Sequence, residues 1–549
     1  MNIPEIPLAQ SLLQIFKAKN IQHIIISPGS RNAPLTIGFA SDPFFTCYSV
    51  ADERSAAFFA MGIAQQLQVP TAVVCTSGSA VLNYYPAVAE AFYSQIPMLV
   101  VSADRPTSKI DIGDGQTIRQ ANVLANHTVF NANLTDEACT DNDRLIQQAI
   151  DTSIAKKGPV HINIPFEEPL YNTLENYTYH PEYVVTNTEN TISFDVNEYK
   201  QDWMNATKKL VVIGAQVPNV LSNETIEALA NDPSILVLTE ITSNVQHPKF
   251  VAHIDTLITT FSEEDFTSFQ PDVLITIGGM VVSKRIKALL RKYPAQHHWH
   301  IDPLRAYDTF GYLSKHIITD ADFALQQLIS LPKTESTYQE TFMLDLGKKL
   351  HKHDVYMSSI PFSDLKVFEK LSQVIPAQSQ LHISNSAGIR YAMLFPIHPS
   401  IEVFCNRGTS GIDGCTSTAV GASTTTSKIT TIVTGDISFF YDSNALWNNY
   451  IPNNFKIILV NNGGGGIFRI LPGHKENEVF NTYFETEHQL TAQYLAKTFG
   501  LNYLTATNEV ELDERLQKLY STHDKPTILE IFTPTKSNEI IQRDYFKHL

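Results

Sequence analysis

Thr430-Thr431-Ile432-Val433-Thr434-Gly435-Asp436 is a β-branched run that ends in Gly-Asp, and a spacer of twenty-four residues separates Asp436 from Asn461-Asn462. That second pair closes another run of the same kind, Lys456-Ile457-Ile458-Leu459-Val460, and opens onto four glycines, Gly463 to Gly466. Apolar runs of this length that stop at turn residues predict strands of an open parallel sheet. Such sheets bind phosphate-bearing ligands at the carboxyl ends of their strands. Asp436, the Asn462 carboxamide oxygen, one backbone carbonyl of the glycine run and two diphosphate oxygens would give an octahedral magnesium ion five ligands, with water as the sixth. Gly-Asp and Asn-Asn-Gly are each ordinary turns when alone; the spacing, with a strand before each half, favours a metal-diphosphate clamp. A dinucleotide fingerprint fits less well, because its third glycine would fall on Phe468 and no ribose-binding acid follows.

Outward from the clamp, short β-branched runs alternate with helical patterns. They lie at 23–27, 71–75, 97–102 and 160–164, then at 209–213, 235–238, 273–277 and 298–301, then at 380–384, 402–405 and 527–532. The expectation is an α/β protein of three α/β domains with mostly parallel sheets, over 1–180, 190–335 and 355–549. Polar stretches at 172–197 and 333–358 read as linkers. The first and third units are patterned alike, as distant structural duplicates would be.

Composition agrees with a large globular enzyme: 549 residues suit about three or four domains of roughly 150 residues. The formal charge of −16 argues against general nucleic-acid binding, so any anionic ligand must be caught by local arginines. Five scattered cysteines without Cys-x-x-Cys spacing suggest reduced thiols in a cytoplasmic protein. No stretch reaches the eighteen or so apolar residues of a membrane helix, and the first residues lack the pattern of a signal peptide. His297, His298 and His300 alternate along a strand, which is more often structural than metal-binding.

Gly-Asp, this spacer and Asn-Asn together resemble the signature of the thiamine-diphosphate enzymes. The resemblance implies a pyrimidine-binding, a central and a diphosphate-binding domain, with thiamine diphosphate and Mg2+ as cofactors and Mn2+ as a substitute. It places Asp436, Asn462 and the Gly464 carbonyl on the metal, and Gly435 and Ile437 beside the cofactor. It also implies a first-domain glutamate that hydrogen-bonds the aminopyrimidine ring. Glu53, in Ala51-Asp52-Glu53-Arg54-Ser55, is the candidate, preferred over Asp52. By itself an acid in a first helical turn only complements the helix dipole; a carboxyl there can also exchange a proton with a ring nitrogen.

Further segments narrow the resemblance to the 2-succinyl-5-enolpyruvyl-6-hydroxy-3-cyclohexene-1-carboxylate synthases of menaquinone biosynthesis. These are Ser27-Pro28-Gly29-Ser30-Arg31, Ser102-Ala103-Asp104-Arg105-Pro106, Gly115-Gln116-Thr117, Ser283-Lys284-Arg285, Ser386-Ala387-Gly388-Ile389-Arg390, Asn406-Arg407-Gly408-Thr409-Ser410-Gly411-Ile412 and Gly466-Ile467-Phe468-Arg469-Ile470-Leu471-Pro472. The implied substrates are 2-oxoglutarate and isochorismate, with two carboxylates each. Arg31, Arg105, Arg390 and Arg407 follow strand-like runs and suit that task, since a guanidinium grips a carboxylate through two hydrogen bonds. Lys284 and Arg285 are further basic candidates. The resemblance puts Ile412 beneath the cofactor, Ser30, Gln116 and Ser386 at hydrogen-bonding positions, and Ile467, Phe468 and Leu471 around isochorismate. It implies a homo-oligomer, dimer or tetramer, with active sites at the subunit interface.

Ile437 departs from the glycine that many thiamine enzymes carry, which favours this branch, and Gly463 replaces a third Asn of some relatives. Another 2-oxo-acid decarboxylase or acetolactate-type carboligase would share Glu53, Asp436 and Asn462 but have little need of four anion-binding arginines. A carrier that has lost catalysis would not need Glu53, and a nucleotide-dependent oxidoreductase lacks its fingerprint.

Overall fold

The interior strands form where the β-branched runs predict them, because a parallel strand covered by helices on both faces must be apolar throughout. Met98–Asp104, Pro159–Pro165 and Phe455–Asn461 are buried along their whole length. A computed structural model describes residues 2–183, 194–470, 473 and 475–549. Leu471 and part of the 172–197 stretch lie outside the described residues.

Three parallel sheets organise the chain. The first runs Thr46–Ser49, His23–Ile26, Thr71–Cys75, Met98–Asp104, Pro159–Pro165, Phe130–Asn133. The second runs Ile235–Thr239, Lys209–Ile213, Val273–Ile277, His297–Ile301, Lys315–Ile317. The third runs Glu402–Phe404, Gln380–Ile383, Thr430–Gly435, Phe455–Asn461, Thr527–Phe532, Asn502–Ala506. Numbered within each unit, the first and third share the order 2-1-3-4-6-5 and the second is 2-1-3-4-5. The likeness of the first and third units is therefore one of topology as well as pattern.

Those two units share a hydrophobic core. Helix Glu53–Leu67 crosses helix Cys415–Ser423 with Phe58, Phe59 and Ala60 against Ala419 and Val420. The backbones nearly touch: a Cβ on Gly62 would stand 2.1 Å from the Thr418 carbonyl oxygen, and one on Gly421 2.0 Å from that of Phe59. Only glycine permits this approach.

One expectation fails. The polar span 333–358 is no linker: Tyr338–Met357 is a helix of 20 residues. Tyr338, Phe342, Leu346, Lys349, His353 and Met357 recur at three- or four-residue spacing and form its buried face. Phe342 packs on Phe261 and Phe269 of the second unit, and His353 Nδ1 lies 2.9 Å from the Tyr545 hydroxyl. The polar residues between them conceal the stripe in any average over the segment. In the second sheet the Thr276 hydroxyl lies 3.0 Å from His298 Nε2 and 2.8 Å from His300 Nδ1. Burial lowers the pKa of both rings, His298 to about 4.

Candidate active site

Gly435 and Val460 are partners in the third sheet, so the Gly-Asp and Asn-Asn pairs leave adjacent strands side by side. Asp436 Oδ1 accepts from the Ile437 N–H at 2.7 Å, and its Oδ2 accepts from Gly463 at 2.8 Å and Gly464 at 2.9 Å. These bonds fold the glycine run back over the carboxylate. His488 Nε2 lies 3.3 Å from Asp436 Oδ2, out of line for a hydrogen bond yet near enough for the carboxylate to raise its pKa.

The Asn462 carboxamide is held by one end. Its Nδ2 donates to Asp364 Oδ2 at 2.9 Å, while Asp364 Oδ1 accepts from the Thr533 hydroxyl at 2.5 Å and the Asp364 N–H donates to Asn538 Oδ1. Burial pushes the Asp364 carboxyl up to about 6, and the Asp436 charge pushes the same way. Asn462 Oδ1 remains, buried and without a hydrogen-bond partner among the described residues. An amide oxygen left so costs roughly 1–3 kcal/mol, and a hard cation would satisfy it. A carboxylate and an amide oxygen make an all-oxygen donor pair of the kind magnesium takes.

A cavity of about 150 Å³ opens over these groups. Ser386, Ile412, Gly435, Asp436, Ile437, Asn462, Gly464, Ile467 and Phe468 line it, and every lining residue belongs to the third unit. Ser386 holds φ 73° and ψ −126°, a conformation costly for any side chain and met chiefly at functional sites. Arg469 anchors the wall from behind in a buried pair with Glu485.

The first-unit candidates lie apart from that cavity. Asp52 is the N-cap of helix Glu53–Leu67, accepting from the Ser55 N–H at 3.1 Å and from Asn444 Nδ2 at 2.6 Å. Glu53 is half-buried with no hydrogen bond among the described residues, within electrostatic reach of Cys75 and Tyr84 at the end of the first sheet. Arg31 is buried and committed, donating to the Phe166 carbonyl and to Glu168 at 3.0 Å each. Arg105 lies 3.7 Å from Asp114, its Nε buried and unpaired among the described residues. Ser30 and Gln116 are exposed, and the Gln116 carbonyl accepts from the Ser77 hydroxyl at 2.9 Å.

The other basic candidates gather where the second and third units meet. Burial first, and then the Arg407 charge, lowers the pKa of Arg390. Arg407 Nη1 donates to Asn385 Oδ1 at 2.7 Å, and both arginines keep a buried Nε that is unpaired among the described residues. Arg285 Nε stands 4.0 Å from Asp255, while Lys284 is exposed at the start of helix Lys284–Lys292. Glu240 is buried beside them, its carboxyl pushed up to about 7 by burial against the N–H groups of Val282 and Ser283. A larger cavity, about 450 Å³, lies at the junction of the three units and has Arg407 on its wall but none of the clamp residues. The smaller one has Asp436 and Asn462 among its lining residues. Asp364, Asn385 and His488 touch Asn462, Arg407 and Asp436 without any motif to announce them; each is a lone polar residue in the sequence.

Three family models match in succession. They are the thiamine pyrophosphate enzyme N-terminal TPP binding domain over 6–126, the middle domain of thiamine pyrophosphate over 173–383, and the C-terminal TPP binding domain over 391–531. Among curated relatives, proteins of Flavobacterium psychrophilum and Flavobacterium johnsoniae are each 59% identical, and one of Christiangramia forsetii is 49% identical, all covering 100% of both chains. Each is named 2-succinyl-5-enolpyruvyl-6-hydroxy-3-cyclohexene-1-carboxylate synthase.

Proposed function

This chain belongs to the 2-succinyl-5-enolpyruvyl-6-hydroxy-3-cyclohexene-1-carboxylate synthases, within the thiamine pyrophosphate enzymes, and on that premise we propose its reaction and the residues that serve it. It decarboxylates 2-oxoglutarate and joins the remaining four-carbon unit to isochorismate, in menaquinone biosynthesis. Bound thiamine diphosphate supplies the electron sink for both steps.

The observation that carries the reading is the buried, unpaired Asn462 oxygen beside Asp436 at the ends of paired strands. Asp436, Asn462 and the Gly464 carbonyl would hold Mg2+, or Mn2+ in its place. Ile412 and Ile437 would pack against the cofactor. Glu53, free because Asp52 does the capping, would hold and release a proton at its carboxyl beside the aminopyrimidine. Ser386, Ile467 and Phe468 shape the space above the clamp and exclude water from it. The four carboxylates of the two substrates call for fixed cations, and we assign that task to Arg390 and Arg407, whose Nε atoms make no hydrogen bond among the described residues. Lys284 and Arg285 add positive charge beside them and Arg105 adds it in the first unit, whereas Arg31 shapes the mouth of the first unit through Phe166 and Glu168.

We also propose a homo-oligomer in which Glu53, Ser30 and Gln116 of one subunit complete the clamp of another. The clamp cavity has no first-unit residue in its lining, and the third unit exposes Tyr441, Trp447, Tyr483, Phe484, Leu490 and Tyr494, more apolar surface than scattered single residues. No helix among the described residues is long and apolar enough to cross a membrane; the proposed setting is the cytoplasm.

The test is a defined assay with magnesium, thiamine diphosphate, 2-oxoglutarate and isochorismate, following isochorismate loss and carbon dioxide release. Turnover that needs all four is expected; carbon dioxide release without isochorismate consumption would overturn the assignment.

A further inference from the structure

We propose that Glu90 is a positioning residue for Arg407, a carboxylate of the first unit that fixes the third-unit loop presenting that guanidinium to an anionic substrate. The inference rests on the reading of Arg407 as a substrate-binding residue.

Glu90 lies in helix Tyr85–Ser94 and is 1% exposed. Its Oε1 accepts from the Gly408 N–H at 2.6 Å and the Ser94 hydroxyl at 2.7 Å. Its Oε2 accepts from the Thr409 N–H at 2.6 Å and the Thr409 hydroxyl at 2.7 Å. Two successive backbone N–H groups converging on a carboxylate form an anion nest, here occupied by a side chain from another unit. Such charge-assisted bonds are about twice as strong as neutral ones. The fit leaves no room to slide, for a Cβ on Gly408 would stand 2.5 Å from the Glu90 carbonyl oxygen and 3.0 Å from Oε1.

Asn385 holds the loop from the opposite side. Its Nδ2 donates to the carbonyls of Asn406 at 2.6 Å and Gly411 at 2.7 Å, and its Oδ1 accepts Arg407 Nη1. Arg407 is thus flanked by two anchors, one from each terminal unit, and stands on the wall of the larger cavity. A buried carboxylate is costly to desolvate, and a neutral side chain would fill the same space. What a carboxylate alone provides is acceptance from four donors at once. In glutamine the amide NH2 would face one pair of those donors and push the loop away. No lysine or arginine forms an ion pair with Glu90 among the described residues, so the loop itself is its partner.

The test is a double-mutant cycle on the full-length enzyme with magnesium and thiamine diphosphate. Glu90→Gln, Arg407→Ala and the double variant are assayed for kcat and for the separate KM values of 2-oxoglutarate and isochorismate. Glu90→Gln is expected to raise, about tenfold, the same KM that Arg407→Ala raises, to leave the other KM and cofactor affinity within about twofold, and to add little once Arg407 is gone. Losses that multiply in the double variant, or a Glu90→Gln enzyme with both KM values unchanged, would overturn the proposal. Arg407→Ala with both KM values unchanged would also overturn it, while leaving the overall reaction standing. Wild-type enzyme without isochorismate-dependent turnover would instead sink the reaction assignment. If circular dichroism shows Glu90→Gln to be unfolded, Thr409→Val removes only one hydroxyl donor; it is expected to raise that same KM about threefold, and no change would be decisive against the role.

Discussion

The side-chain nitrogen of Asn462 donates to Asp364 Oδ2 across 2.9 Å, and this bond decides which end of the carboxamide faces the clamp cavity. Asp364→Ala should free the amide to rotate and leave the Thr533 hydroxyl without its acceptor. Magnesium-dependent binding of thiamine diphosphate, measured by titration calorimetry, is expected to weaken about 10- to 100-fold, the usual range for a group that orients a metal ligand. Unchanged affinity would show that Asn462 needs no such orientation.

Asp436→Ala removes both the carboxylate and the acceptor that folds Gly463 and Gly464 inward. Magnesium should then no longer strengthen thiamine diphosphate binding. Tight metal-dependent binding by this variant would move the clamp elsewhere.

Glu53→Gln keeps the size of the side chain and removes its proton exchange. A fall in kcat of about 10²- to 10⁴-fold is expected, with cofactor affinity nearly unchanged. Asp52→Ala, by contrast, should affect stability more than rate, because it removes the acceptor that caps the helix at the Ser55 N–H. Full activity in Glu53→Gln would remove Glu53 from the mechanism.

Gly421→Ala puts a methyl group 2.0 Å from the Phe59 carbonyl oxygen, where two helix backbones must part to admit it. A loss of about 1–3 kcal/mol is expected, read as a lower unfolding temperature. Gly347→Ala, with open space around its Cβ, is the control and should be neutral or slightly stabilising.

Asp442 gives the pH dependence a sign. Its oxygens accept from the Ser417 N–H at 2.7 Å and the Ser417 hydroxyl at 2.8 Å, yet burial pushes its carboxyl up to about 7. With the folded value above the unfolded one, the fold holds the proton more tightly, so stability falls as pH rises from about 4 to about 7. Asp442→Asn can keep both bonds without the charge. It should melt above wild type at pH 8, by an amount on the order of a few kcal/mol, with the gap narrowing toward pH 5. A gap that widens in acid would contradict the assignment.

What the sequence disclosed and what it hid follow from where each residue sits. The interior strands stood out because both faces are buried. The sheet strands that escaped notice, Thr46–Ser49, Phe130–Asn133, Lys315–Ile317 and Asn502–Ala506, are all sheet edges, partly exposed and lacking a continuous apolar run. The helix Tyr338–Met357 was lost for a related reason, its one buried stripe diluted by polar neighbours. The clamp was legible because each of its halves is contiguous in sequence. Asp364 and Glu90 were not, since they act on partners 98 and 318 residues away and neither sits in a motif. Arg31 shows the opposite limit: a residue type suited to anions, next to a strand end, can be taken up by a carbonyl and a glutamate of its own unit.

The shared strand order of the first and third sheets means that the molecule presents the same architectural mouth twice, with different furniture. In one mouth the loops carry Glu53, Ser30 and Gln116; in the other they carry Asp436, Asn462 and Ser386. Repetition within a polypeptide lets one copy specialise while the other preserves what the pair requires, a freedom that an assembly of identical single-sheet subunits does not have, since every change there appears in all mouths at once.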